Sequence, residues 1–167
     1  GLGETSLASV ILKKPPQPMP KDPALEHIDA LGGKPFQAFP GQDHQAHISA
    51  HLAFMGTPMA QNNPVIMAAL EKNIFEHINL MSDEQVQLEF KDKIARLQEL
   101  QMQMQQNPQM QMELEQNPQL QQQMQQEQQQ LELEIESRKA VLIAEMTEDF
   151  VKEQKQVMGD FGNDPLV

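Results

Sequence analysis

Apolar positions recur at helical spacing along most of this chain, and proline, glycine and asparagine punctuate the runs. The most tightly bounded run is residues 43 to 55. Pro40 fixes its φ and Gly41 supplies the positive φ that a following turn position needs. Asp43 is then placed to accept from the free backbone N–H groups of a helix start. Gly56 and Pro58 close the run from the other side. At about 100° per residue, His44, His47 and His51 fall in one narrow arc, flanked by Ile48, Leu52, Phe54 and Met55. The opposite face carries Ala46, Ser49, Ala50 and Ala53. A face of small residues admits a close helical neighbour, so this helix is expected to lie between two partners.

The next run begins at Asn63-Pro64, a cap followed by proline at the first helical position. Ile66, Leu70, Ile74 and Ile78 share one face there, with Phe75 and His77 beside them. Ser82 and Gln85 have capping-box spacing, which predicts a joint near Met81 and an αα-hairpin around it. Val86, Phe90, Ile94, Leu97 and Leu100 then mark a second amphipathic stripe. Between residues 101 and 130 about half the positions are glutamine, interleaved with methionine. A ten-residue echo repeats Asn-Pro at 107–108 and 117–118, and each proline is expected to break the helix while its asparagine restarts it. After Pro118 a long helix is predicted, with a seam through Leu120, Met124, Leu131, Ile135, Leu142, Met146, Phe150 and Val157. Glycines at 159 and 162 end it.

The first 42 residues are rich in proline and glycine. Leu7 to Leu12 reads as a short apolar strand, and the prolines at 15, 16, 18 and 20 demand an extended polyproline strap. Ala24 to Leu31 fits a short helix closed by Gly32-Gly33. The fold class that follows is mainly α: a Pro-rich strap over 1–42, a helical hairpin region over 43–106, and a Gln/Met-rich kinked helix leading into a long amphipathic helix over 107–167. One such helix cannot bury its apolar side alone, so an oligomeric helical barrel is expected.

Charge narrows the function classes. Twelve Lys and Arg face 24 Asp and Glu, a net charge of −12 over 167 residues. Such a surface repels phosphate and does not bind nucleic acid generally. The chain has no cysteine, so disulfides and thiolate metal sites are excluded. No apolar run reaches the ~20 residues of a membrane-spanning helix, and no signal peptide is visible. The first residue is Gly1, which fits a processed product or part of something longer.

The histidines are the only candidate chemistry. His47 and His51 have the i, i+4 spacing of a helical zinc pair, with His44 one turn earlier. The zinc-protease motif requires Glu directly after its first histidine, where this chain has Ile48. With no second set of ligands readable nearby, the expectation is that the imidazoles hydrogen-bond to packed neighbours or across a subunit interface. A pH-sensitive interface is a further possibility. No metal, cofactor or catalytic residue is therefore assigned. The candidate interface residues are His44, His47, His51, Ile48, Leu52, Phe54, Leu131, Ile135, Leu142 and Phe150. The methionines are read as adaptable packing.

Residues 35 to 55, running on from Lys34 through Pro-Gly-Gln-Asp-His-Gln-Ala-His to Met55, resemble a segment near the C-terminus of portal proteins of tailed bacteriophages. The resemblance covers residues 24 to 90; the Gln/Met/Leu-rich tail matches in composition only. Portals are several times longer, so it implies a piece from the crown and barrel end, with wing, stem and clip upstream. It further implies a dodecameric homo-oligomeric ring in the virion, at the capsid vertex, assembled in the host cytoplasm. Double-stranded DNA would pass through it during packaging and ejection without sequence-specific binding. Capsid, terminase and neck proteins would be met through other parts of the chain, and no membrane. The resemblance brings no catalytic residues with it. Two other readings follow from the residues themselves: a helical adaptor acting through coiled-coil packing, and, last, a metalloenzyme built on His44, His47 and His51.

Overall fold

A computed structural model describes residues 19–162, and their side chains through residue 159. The apolar run at 7–12 and most of the proline strap lie outside the described residues. Within them the chain is mainly α, with no strand. Asp22 caps α1 (Pro23–Leu31) by accepting from the Ala24 N–H at 2.9 Å, and Gly33, at φ +71°, turns the chain out of it. The turn at Pro40-Gly41 follows, with Gly41 at φ +81°. Asp43 then caps α2 (His44–Met55), its carboxylate accepting from Ala46 N–H. A single turn, α3 (Pro58–Gln61), leads to Asn63, which caps α4 (Pro64–Glu89).

The predicted joint near Met81 is absent. α4 runs unbroken through it, because Ile78, Ser82 and Val86 continue one buried face and no residue in that stretch breaks a helix. Ser82 does not cap; its hydroxyl donates to the Asn79 carbonyl at 2.7 Å, a bond within the helix. The break falls at Phe90 instead, before α5 (Lys91–Gln106). The hairpin is made by α2 and α4 around the turn at 56–63, so its closing segment lies upstream of the predicted one. Asn107 and Asn117 cap α6 (Pro108–Gln116) and α7 (Pro118–Gly162) as the repeat implies. α7 has 45 residues and passes through Gly159; at ~1.5 Å per residue it is about 67 Å long.

α7 returns antiparallel along α4. Gln154 donates to Glu71 at 3.0 Å, Lys139 pairs with Asp83 at 2.6 Å, and Arg138 forks onto Glu89 at 2.8 and 3.0 Å. The core lies between α1, α2, α4 and the second half of α7. Ile48, Leu52 and Met55 pack there with Leu70, Ile74, Ile78 and Phe150. Fully burying side chains of this size contributes roughly 1.5–3 kcal/mol each. Phe75 meets Phe150 edge-on, centroids 5.5 Å apart. Gly56 lets α7 come close: a Cβ there would stand 2.5 Å from Val157 Cγ1.

Leu142 and Phe150 are thus buried inside the chain, whereas Leu131 and Ile135 are half-buried. Ile48 and Leu52 are buried and Phe54 packs against the core, so these candidate interface residues serve intramolecular packing. The small face of α2 does not receive a second helix. Ala46, Ser49 and Ala53 are exposed, since α4 and α1 both pack on the histidine side. From Gln87 to Val141 no residue is buried. The molecule therefore divides into a head with a core and an arm, α5, α6 and the first half of α7, without one.

Candidate functional site

All five histidines of the chain meet in the head. His44, His47 and His51 project from one face of α2, because positions 44, 47, 48, 51, 52 and 55 form a single buried stripe. α4 runs antiparallel across that stripe and contributes Asn73 and His77; α1 contributes Glu26 and His27. Glu26, His44, His47, His51, Asn73 and His77 are all buried. The three helical histidines have their partners within the chain, so they are not a free surface for a neighbouring subunit.

Hydrogen bonds fix most of the ring orientations. The turn at Pro40-Gly41 starts one chain of them. Gly41 N–H donates to Glu84 Oε1 at 2.7 Å, and Gln42 Oε1 accepts from Phe39 N–H at 2.8 Å, locking the turn onto α4. The Gly41 amide, followed by His44, holds the Glu84 carboxyl below its ordinary pKa. Glu84 is then purely an acceptor, and His44 Nε2, at 3.0–3.1 Å from its two oxygens, is the donor. When Nε2 carries the only His44 proton, Nδ1 is a bare acceptor 2.8 Å from His77 Nδ1. In that tautomer His77 donates from Nδ1, and its Nε2 is a bare lone pair. That nitrogen is fully buried and has no hydrogen-bond partner among the described residues. Burial, and then the neighbouring imidazoles of His47, His44 and His51, push the His77 pKa down to about 3, so the ring is neutral.

A second chain comes from the other side. Asn73 Nδ2 donates to Glu76 at 3.2 Å, which turns its Oδ1 toward His51 Nε2 at 2.8 Å. His51 Nδ1 then accepts from His27 Nε2 at 2.9 Å. His27 stacks on Phe54 with centroids 4.3 Å apart, and burial, with His51 next, lowers its pKa to about 4. Between the two chains sits Glu26. Its Oε1 is 2.8 Å from His47 Nδ1 and 3.4 Å from His51 Nε2, and among the described residues it has no Lys or Arg partner.

One ligating atom each from Glu26, His47, His51 and His77 lies within 4.8 Å of the other three. No family model, curated protein or solved structure matches this chain. The site therefore stands on its own geometry. Leaving a buried polar atom such as His77 Nε2 unpaired costs about 1–3 kcal/mol, and a buried carboxylate without a cation costs more. Both residues belong to this four-residue cluster.

Sequence reasoning found the α2 face and passed over Glu26, His27 and His77 as partners. One signal was available: all five histidines fall between residues 27 and 77 and none in the remaining two-thirds of the chain. Residues that hydrogen-bond to the histidines from behind, unreadable in the sequence, are supplied by the fold: Glu84 and His44 stand behind His77, and His27 behind His51.

Proposed function

We propose that this chain is a structural, non-catalytic module that assembles with copies of itself, as part of the DNA passage channel at the portal vertex of a tailed-phage capsid. The observation that carries the assembly reading is the arm. Leu97, Leu100, Leu131 and Leu133 line an open groove of about 830 Å³ between α5 and α7. Leu100, Met104, Met110, Leu114, Leu120 and Met124 line its continuation. Apolar side chains on helices this long need a partner surface, and a neighbouring arm of the same composition supplies one. The exposed small face of α2 and the exposed Val65 and Leu88 add contact surface on the head.

The portal reading rests on the resemblance of residues 35–55, and the net charge of −12 supports it. A channel wall of glutamate and glutamine lets phosphates pass, where a basic lining would hold them. No helix among the described residues is long and apolar enough to cross a membrane.

Light scattering on the purified chain at micromolar concentration, followed by imaging of the particles, tests this. The expected result is a dodecamer-sized ring with α7 running along the ring axis. A parallel dimer or trimer joined through the arms would replace the portal reading with a helical adaptor. A monomer at these concentrations would overturn both.

A further inference from the structure

We infer that the head holds one Zn²⁺ ion, bound by Glu26, His47, His51 and His77. This goes beyond the assembly reading and is independent of it, since every ligand comes from one chain.

Four observations converge. The donor set is three imidazoles and a carboxylate, one atom from each already within 4.8 Å of the others. Tetrahedral zinc with bonds of about 2.0–2.2 Å needs donors about 3.3–3.6 Å apart, so closing the site takes side-chain adjustments on the order of an ångström, without rebuilding the helices. His77 Nε2 is buried, unpartnered and, by the Glu84–His44–His77 chain, deprotonated. A buried lone pair with no hydrogen donor is what a metal ligand presents. The Glu26 carboxylate is also buried, and no lysine or arginine among the described residues balances it.

The surroundings complete the set of outer contacts. Glu84 orients His44 and through it His77; Gly41 N–H holds Glu84 in place. In the loaded site, His47 and His51 carry their protons on the ring nitrogens facing away from the ion. For His51 that nitrogen is Nδ1, with His27 Nε2 2.9 Å away to accept. Asn73 then gives up its bond to His51 and keeps Glu76. Metal-bound histidines commonly donate their second nitrogen to a carboxylate or another acceptor, which fixes ring and tautomer.

The chemistry of the donors selects the ion. Imidazole nitrogens disfavour Ca²⁺ and Mg²⁺, which take oxygen ligands. The absence of cysteine disfavours Cu⁺ and iron–sulfur clusters. Four buried protein ligands leave no open position for substrate, so the ion is structural. It ties α1, α2 and α4 together: Glu26 from the first, His47 and His51 from the second, His77 from the third.

The test uses the purified 167-residue chain, stripped with chelator, dialysed and titrated with Zn²⁺ or Co²⁺ at neutral pH. One equivalent of zinc should be retained through gel filtration, and Co²⁺ should give the intense visible bands of a tetrahedral site. His77→Gln should abolish both. Glu84→Gln, at an exposed position outside the ligand set, should weaken zinc binding 10–100-fold while circular dichroism stays unchanged. Sub-stoichiometric zinc in the parent chain would overturn the inference. So would full binding in a folded His77→Gln chain. Should that variant fail to fold, Glu84→Gln decides: affinity equal to the parent's would overturn the assignment.

Discussion

The head and the arm are made of the same kind of element and stabilised in opposite ways. In the head, helices of mixed composition bury Met55, Leu70, Ile74 and Ile78 together with seven polar residues. In the arm, helices rich in glutamine bury nothing. Helix propensity does not explain the difference, because Gln, Met, Leu and Glu are all good helix formers. What differs is convergence. In the head, α1, α2, α4 and α7 meet around one core, and most of its buried polar groups are hydrogen-bonded, His77 Nε2 and Gln61 Nε2 being the exceptions among the described residues. The arm's helices are held by their own backbone bonds, the Asn107 and Asn117 caps and a few surface pairs such as Lys93–Glu134.

Emptying the core should separate head from arm by the largest margin. Leu70→Ala should destabilise the chain by about 2–5 kcal/mol in urea melts, while Leu100→Ala in the arm should leave the head's melting unchanged. Equal losses would mean that the arm carries a core of its own. Next in size is the contact of α2's end with α7. Gly56→Ala places a methyl against Val157 and should cost about 1–3 kcal/mol. Adding Val157→Ala should restore part of that, as a double-mutant cycle.

Acid should act on the head through His77. His77 titrates at about 3 in the folded chain against 6.5 when unfolded, so the unfolded state binds the extra proton. The stability contributed by its neutral form is fully present above pH 6.5 and is lost as pH falls from 6.5 toward 3. The loss in chelator-treated protein should be about 1.4 kcal/mol per pH unit from this residue. The groups facing it are His44, His47 and His51, with Glu26 and Glu84 beyond them. A melting curve flat between pH 6.5 and 5 would show that the ring is not held neutral. The smallest effect is expected from Leu97→Asn with Leu100→Asn, which should not move the head's melting temperature and should reduce the mass measured by light scattering.

Local features of the fold were legible in the sequence. Asp43, Asn63, Asn107 and Asn117 each sit before or at a helix start, and the structure uses all four as caps. The buried stripe of α2 was legible from spacing, although half of it is histidine and a scale of apolarity alone does not see it. The capping-box pattern at Ser82–Gln85 misled, because a local signal was outweighed by the continuous buried face through Ile78 and Val86. The exposed small face of α2 and the meeting of Glu26, His27 and His77 with α2 were not legible. Both depend on which side of α2 its neighbours choose, and that is settled by the whole core.

Hydrogen exchange on the chain, below and above the concentration at which it assembles, tests the division into a self-sufficient head and a partner-dependent arm most directly. Amides of α2 and α4 should be protected equally at both concentrations. Those of residues 91 to 130 should exchange fast in the dilute chain and become protected on assembly. Protection of the arm in the dilute monomer equal to that of α4 would contradict the account.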